Sequence, residues 1–107
     1  MEGKIQKLKQ IVEKGLYADS LRDAIQLIDS IGGRGSFRLP LFVLRAIFAS
    51  LLEEWIDDQG IESKEFERLN SLYQPPSLNI LDSIINGKNQ DALDQCENLA
   101  SVFFDNP

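Results

Sequence analysis

The sequence predicts an all-α protein: a compact bundle of five to six short helices around a central apolar helix at about residues 40–58. Three observations carry this. Apolar residues recur every three or four positions along most of the chain, which is the spacing of one helix face. No segment alternates apolar and polar residues strictly, so nothing reads as a strand. Glycines, prolines and an Asn-Gly pair divide the chain into pieces of helix length.

The first piece, residues 3–14, places Ile5, Leu8, Ile11 and Val12 on one face with Lys4, Lys7, Lys9 and Lys14 around them. Gly15 ends it. A basic amphipathic helix can lie on an anionic membrane, but two apolar turns without an aromatic favour docking on a protein core. A second helix follows a link at Leu16–Asp19. Ser20 with Asp23 three residues on reads as a capping box. Leu21, Ala24, Ile25, Ile28 and Ile31 then recur at helical spacing up to Gly32-Gly33.

The central helix, Pro40 to Asp58, organises the rest. Pro40 suits a first helical position, where its missing N–H costs nothing, and Gly60 suits the cap beyond the end. Leu41, Leu44, Phe48, Leu51, Leu52, Trp55 and Ile56 share one broad face, and Ser50, Glu53, Glu54 and Asp57 lie opposite. From Leu41 to Ala49 the helix is apolar almost all round, with Phe42, Val43 and Ala46 extending beyond the face that later turns bury. Such a helix is covered on most sides, by its own fold or by a second copy. Arg45 interrupts the run, and four acids close it, so the segment reads as a core helix and not as a membrane span. Arg45 itself has three readings: a stem packed on the core with a snorkelling head, an ion pair with a carboxylate of another helix, or a pocket residue. The snorkel is the preferred one.

Ser63 then N-caps a helix with the stripe Phe66, Leu69, Leu72 and Tyr73. Pro75-Pro76 are expected to break it. A short helix at about 77–85 buries Leu78, Leu81, Ile84 and Ile85, and Asn86-Gly87 closes it. The last helix runs from about Asn89 to Phe103 with Leu93, Cys96, Leu99, Ala100 and Phe103 inward. Residues 87–93 read as the turn and opening of a generic αα-hairpin.

A chain of 107 residues is expected to form a single all-helical domain, 1–107, with a core of its own. Its 43% apolar and 26% charged residues are those of an ordinary globular protein. The single Cys96 makes no internal disulfide and reads as a core thiol, and residues 1–15 lack the apolar segment of a secretory leader; both suit the cytoplasm. Net charge is −6, unevenly spread: residues 1–45 hold eight Lys/Arg against five Asp/Glu, and residues 46–107 hold three against twelve. A pI near 4.5 argues against general nucleic-acid binding, because affinity for phosphates comes mainly from cationic contacts.

No histidine occurs, which removes the commonest general base and transition-metal ligand. Cys96 has no sequence-visible activating base. Glu53, Glu54, Asp57 and Asp58 have a spacing that could hold a divalent cation, but a solvated helix face accounts for them. The chain is therefore not expected to be an enzyme, and neither metal nor cofactor is expected. Gly32 to Arg38 combines three glycines, Arg34 and Arg38 ahead of a helix N-terminus, a setting that favours anions. It matches neither the Walker nor the dinucleotide pattern.

The function these features suggest is a small helical interaction or regulatory/adaptor protein whose partner is another protein, self-associating as a homodimer. Arg34, Arg38, Phe42, Arg45 and Trp55 are the candidate contact residues, within a surface near Phe42, Phe48 and Trp55. The alternative is a binder of an anionic ligand or acidic partner group at the Arg34/Arg38 loop.

Overall fold

Among the described residues five helices form, where the sequence allows five or six. The computed structural model describes residues 2–31, 38–57 and 63–105. They make up α1 (Glu2–Glu13), α2 (Ala18–Ile31), α3 (Arg38–Asp57), α4 (Ser63–Ile85) and α5 (Asn89–Asp105).

The α1–α2 turn shows how side chains fix a boundary that spacing leaves open. Lys14 and Gly15 donate to the carbonyls of Ile11 and Val12, closing α1. Gly15 has φ +108°, and a Cβ there would stand 2.8 Å from the Tyr17 ring, so the position needs glycine. Leu21 N–H bonds to the Tyr17 carbonyl at 2.8 Å, which makes Tyr17 the N-cap of α2. Ser20 is then the third helical residue and not the cap. Its hydroxyl accepts the Tyr17 N–H at 2.8 Å and donates to the Gly15 carbonyl at 2.6 Å. The expected capping box is displaced by one turn: Ser20 reaches back to the cap instead of being it.

The expected break at Pro75-Pro76 does not occur, and α4 runs through both prolines. Two prolines remove the N–H partners of the Ser71 and Leu72 carbonyls, a loss of about 3 kcal/mol or more per interior proline. Ser71 and Leu72 are exposed, so water can take those carbonyls. Side-chain contacts hold the helix on both sides of the proline pair. Asn70 accepts the Leu16 N–H at 2.8 Å, and Gln74 Nε2 donates to the carbonyls of Val12 at 2.9 Å and Glu13 at 3.2 Å. Two α4 side chains one turn apart thus satisfy the backbone at the end of α1 and in the turn after it. Ser77, fully buried, donates its hydroxyl to the Tyr73 carbonyl at 2.6 Å. Leu69 and Tyr73 before the prolines, and Ile80, Leu81 and Ile84 after them, enter the same core.

At its end α4 closes as the Asn-Gly pair predicts. Gly87, at φ +74°, donates to the Ile84 carbonyl, and Lys88 to that of Ser83, which is the Schellman pairing. The Lys88 carbonyl in turn accepts from Ala92, so α5 begins at once.

Among the described residues α1 packs on α2 and α4, α2 on α3, α4 on α5, and α5 on α3. These contacts close a ring in the order α1, α2, α3, α5, α4. Lys4 meets the Ser30 carbonyl, Lys9 pairs with Asp82 at 2.6 Å, and Tyr73 meets Phe103 edge-on at 5.5 Å. Together with the Leu16–Asn70 bond, these pairs run α1 antiparallel to α2 and α4, and α4 antiparallel to α5. The radius of gyration, 13.1 Å, is that of a compact chain of this length.

One hydrophobic cluster draws on all five helices. Ile5, Leu8 and Val12 come from α1, Leu21, Ala24 and Ile28 from α2, and Ala92, Cys96 and Leu99 from α5. α3 contributes Leu41, Leu44, Ile47, Phe48 and Leu51, and α4 an equal number with Leu69, Tyr73, Ile80, Leu81 and Ile84. Leu72, expected inward, is 37% exposed, because Leu69 and Tyr73 turn α4 toward α1 and α5.

The two phenylalanines of α3 give a sharp test of this orientation. Phe48 is 0% and Phe42 63% exposed. Urea melts should show Phe48→Ala losing about 3–5 kcal/mol and Phe42→Ala within about 0.5 kcal/mol of the parent. Similar losses in both variants would contradict the assigned faces.

Candidate functional site

The first half of α3 is where the fold fails to cover what the sequence makes apolar. The helix begins at Arg38, two residues before Pro40. Pro40 is therefore the third helical residue, still among the positions whose N–H has no intrahelical partner. It is buried, and its carbonyl accepts from the Cys96 thiol at 3.5 Å, which ties α3 to α5. With this register, Arg38, Leu39, Phe42, Ala46, Ala49 and Glu53 lie within about 60° of one line along the helix. Five of the six are exposed and Ala49 is half-buried. Leu39 is 56% and Phe42 63% exposed, while Leu44, Ile47 and Phe48 on the opposite side have no exposure.

The structure separates the sequence-predicted contact residues. Arg38 and Phe42 stand on the outward line of α3. Arg34 and the side chain of Trp55 lie outside the described residues, as do those of Glu54, Asp57 and Asp58 in the acidic cluster. Phe48, expected in the same surface, belongs to the core. Val43 is half-buried against that core, so it borders the face without belonging to it.

Arg45 carries its head to the surface, as the preferred snorkel has it, and is ion-paired there with a carboxylate of another helix. Its Nε donates to Asp29 Oδ1 at 2.6 Å and one terminal nitrogen to Oδ2 at 3.2 Å, a two-pronged contact from α3 to α2. The Asp29 hydrogen bond, and then its charge, raise the guanidinium above its ordinary value. The pair sits on the surface, with 38% and 55% of the two side chains exposed, so solvent screens it. Periodicity placed Arg45 between Leu41 and Leu52 but could not show that Asp29 stood across the groove. The pair occupies the flank of the outward face and leaves the line from Arg38 to Glu53 clear.

Leu39 was missed because a helix started at Pro40 leaves it off the wheel. Tyr17, Leu72, Val102 and Phe104 are also exposed, at 48%, 37%, 47% and 62%. They sit on three different segments: the α1–α2 turn, the middle of α4 and the end of α5. Phe104 rests edge-on against Phe103 at 5.0 Å. These residues form no line along a single element.

Other chemistry is sparse among the described residues. No group of three or more His, Cys, Asp or Glu side chains could hold a metal ion, and no helix is long and apolar enough to cross a membrane. Cys96 is 1% exposed, and burial, with a smaller contribution from Glu97, pushes its thiol up to about 11. A thiol so placed is a poor nucleophile at neutral pH. No protein-family model matches the chain, and no curated protein or solved structure is significantly similar to it.

Three outcomes follow from this geometry. Arg45→Ala and Arg45→Met should lower the urea midpoint by equally small amounts; a large loss confined to Arg45→Ala would mean a buried pair. Ellman's reagent at pH 8 should modify Cys96 no faster than the chain unfolds, and prompt stoichiometric reaction of the native protein would contradict its burial. The raised thiol also makes native stability fall as pH climbs from 9.0 toward about 11, because the unfolded chain releases that proton first.

Proposed function

We propose that this chain is a small helical interaction protein, regulatory or adaptor in character, that works by protein contact and self-associates through the outward face of α3. The observation that carries this reading is the exposure of Leu39 and Phe42 on a helix whose other side enters the core through Leu41, Leu44, Ile47, Phe48 and Leu51. Exposed apolar residues that line up along one helix face, rimmed by charged residues, are the kind of patch that marks a contact site. Aromatic side chains of this kind are frequent anchors of protein interfaces. The acidic balance of residues 46–107 supports a protein partner over an extended polyanion. A buried, unpaired Cys96 fits a reducing compartment such as the cytoplasm. The alternative, an anion site in the Arg34/Arg38 loop, has less under it, since only Arg38 of that loop is among the described residues.

Light scattering from micromolar to sub-millimolar concentration tests the proposal. The parent should pass from monomer toward dimer, and Phe42→Glu should stay monomeric with an unchanged urea midpoint. A parent that is monomeric throughout, or a Phe42→Glu variant that associates as the parent does, would overturn it.

A further inference from the structure

We infer that the occupant of this face is a second copy of the chain, packed α3 against α3 in antiparallel, twofold-symmetric fashion about Ala46. The inference rests on the self-association proposed above and specifies its geometry. The outward line of α3 is basic at one end, apolar in the middle and acidic at the other. Arg38 and Glu53 are both exposed, and neither has an ion-pair partner among the described residues. They stand about 22 Å apart along the helix axis at 1.5 Å per residue.

A twofold axis makes a surface complementary to itself, so residue i on one copy meets residue j on the other and j meets i. Antiparallel pairing brings each Arg38 to the partner's Glu53, so both ends of the line are neutralised together. Parallel pairing would set arginine against arginine and glutamate against glutamate. The midpoint of the Arg38–Glu53 span falls between Arg45 and Ala46. Arg45 is turned aside to Asp29, which leaves Ala46 at the crossing, where a methyl side chain allows close helix approach. In that register Phe42 of each copy lies over Ala49 and Ser50 of the other, a large side chain against small ones.

The strip is one helix wide and about 22 Å long. It is smaller than the ~800 Å² per partner of a standard stable interface. The association is therefore weak, concentration-dependent and sensitive to its end charges.

Two sets of variants test the register. Ala46→Cys, oxidised at concentrations where the parent dimerises, should give a 46–46 disulfide, mapped by mass spectrometry with buried Cys96 unmodified. Arg38→Cys alone should not link to itself, whereas a mixture of Arg38→Cys and Glu53→Cys chains should cross-link. Separately, Arg38→Glu and Glu53→Arg should each weaken dimerisation about tenfold at low salt, since each turns two opposite-charge contacts into like-charge ones. The double variant Arg38→Glu/Glu53→Arg should restore it. If the chain dimerises but Ala46→Cys does not link and the double variant does not recover, the antiparallel register is overturned while self-association stands. If no variant or parent associates at all, the register and the self-association beneath it both fall.

Discussion

Closure of the helix ring is the constraint on which the rest of the structure depends. With α1, α2, α3, α5 and α4 in a closed order, each helix has two covered flanks, one face toward the common core and one face outward. Four of the helices have sequences that suit this, with polar or charged residues to place outside. The first half of α3 does not: it is apolar nearly all the way round, and the ring buries Pro40, Leu41, Leu44, Ile47, Phe48 and Leu51 but not the rest. What remains, Leu39 and Phe42, is left facing out by the same closure that buries the others.

The ring is held by two kinds of interaction with different tolerance to change. Apolar burial is distributed over twenty of the described residues and tolerates modest repacking. The polar ties join single groups on residues far apart in the chain. Asn70 and Gln74 on α4 satisfy the backbone at the end of α1, and the Cys96 thiol meets the Pro40 carbonyl at the start of α3. Surface pairs such as Lys9–Asp82 and Arg45–Asp29 add orientation more than stability, because each is partly open to solvent.

Much of this fold was legible in the sequence, and the misses share a cause. Gly15 and Gly87 were readable as helix ends because a positive φ is a local demand that glycine alone meets easily. The inward positions of α1 and α2 followed from spacing, since one apolar stripe leaves one possible orientation. Pro75-Pro76 misled because their local penalty is visible in sequence, whereas Asn70, Gln74 and Ser77, which hold the helix around them, act through partners 54 to 62 residues away or through a hydroxyl turned back on its own helix. Ser20 misled because a serine one turn into a helix and a serine capping it look alike without the backbone. For the candidate site, the apolar excess at Phe42 and Ala46 was readable. The pairing of Arg45 with Asp29 and the outward place of Leu39 needed the register of α3 against α2.

The central claim is that the apolar face left out by ring closure is the surface this protein uses. A dilution series of ¹⁵N–¹H NMR spectra tests it most directly, since each backbone amide reports separately whether it senses a second molecule. Concentration-dependent shifts should concentrate at Leu39, Phe42, Ala46 and Glu53, with the amides of the α1–α2 turn and the end of α5 unmoved. Spectra independent of concentration, or shifts centred on Tyr17, Leu72, Val102 and Phe104 instead, would contradict it.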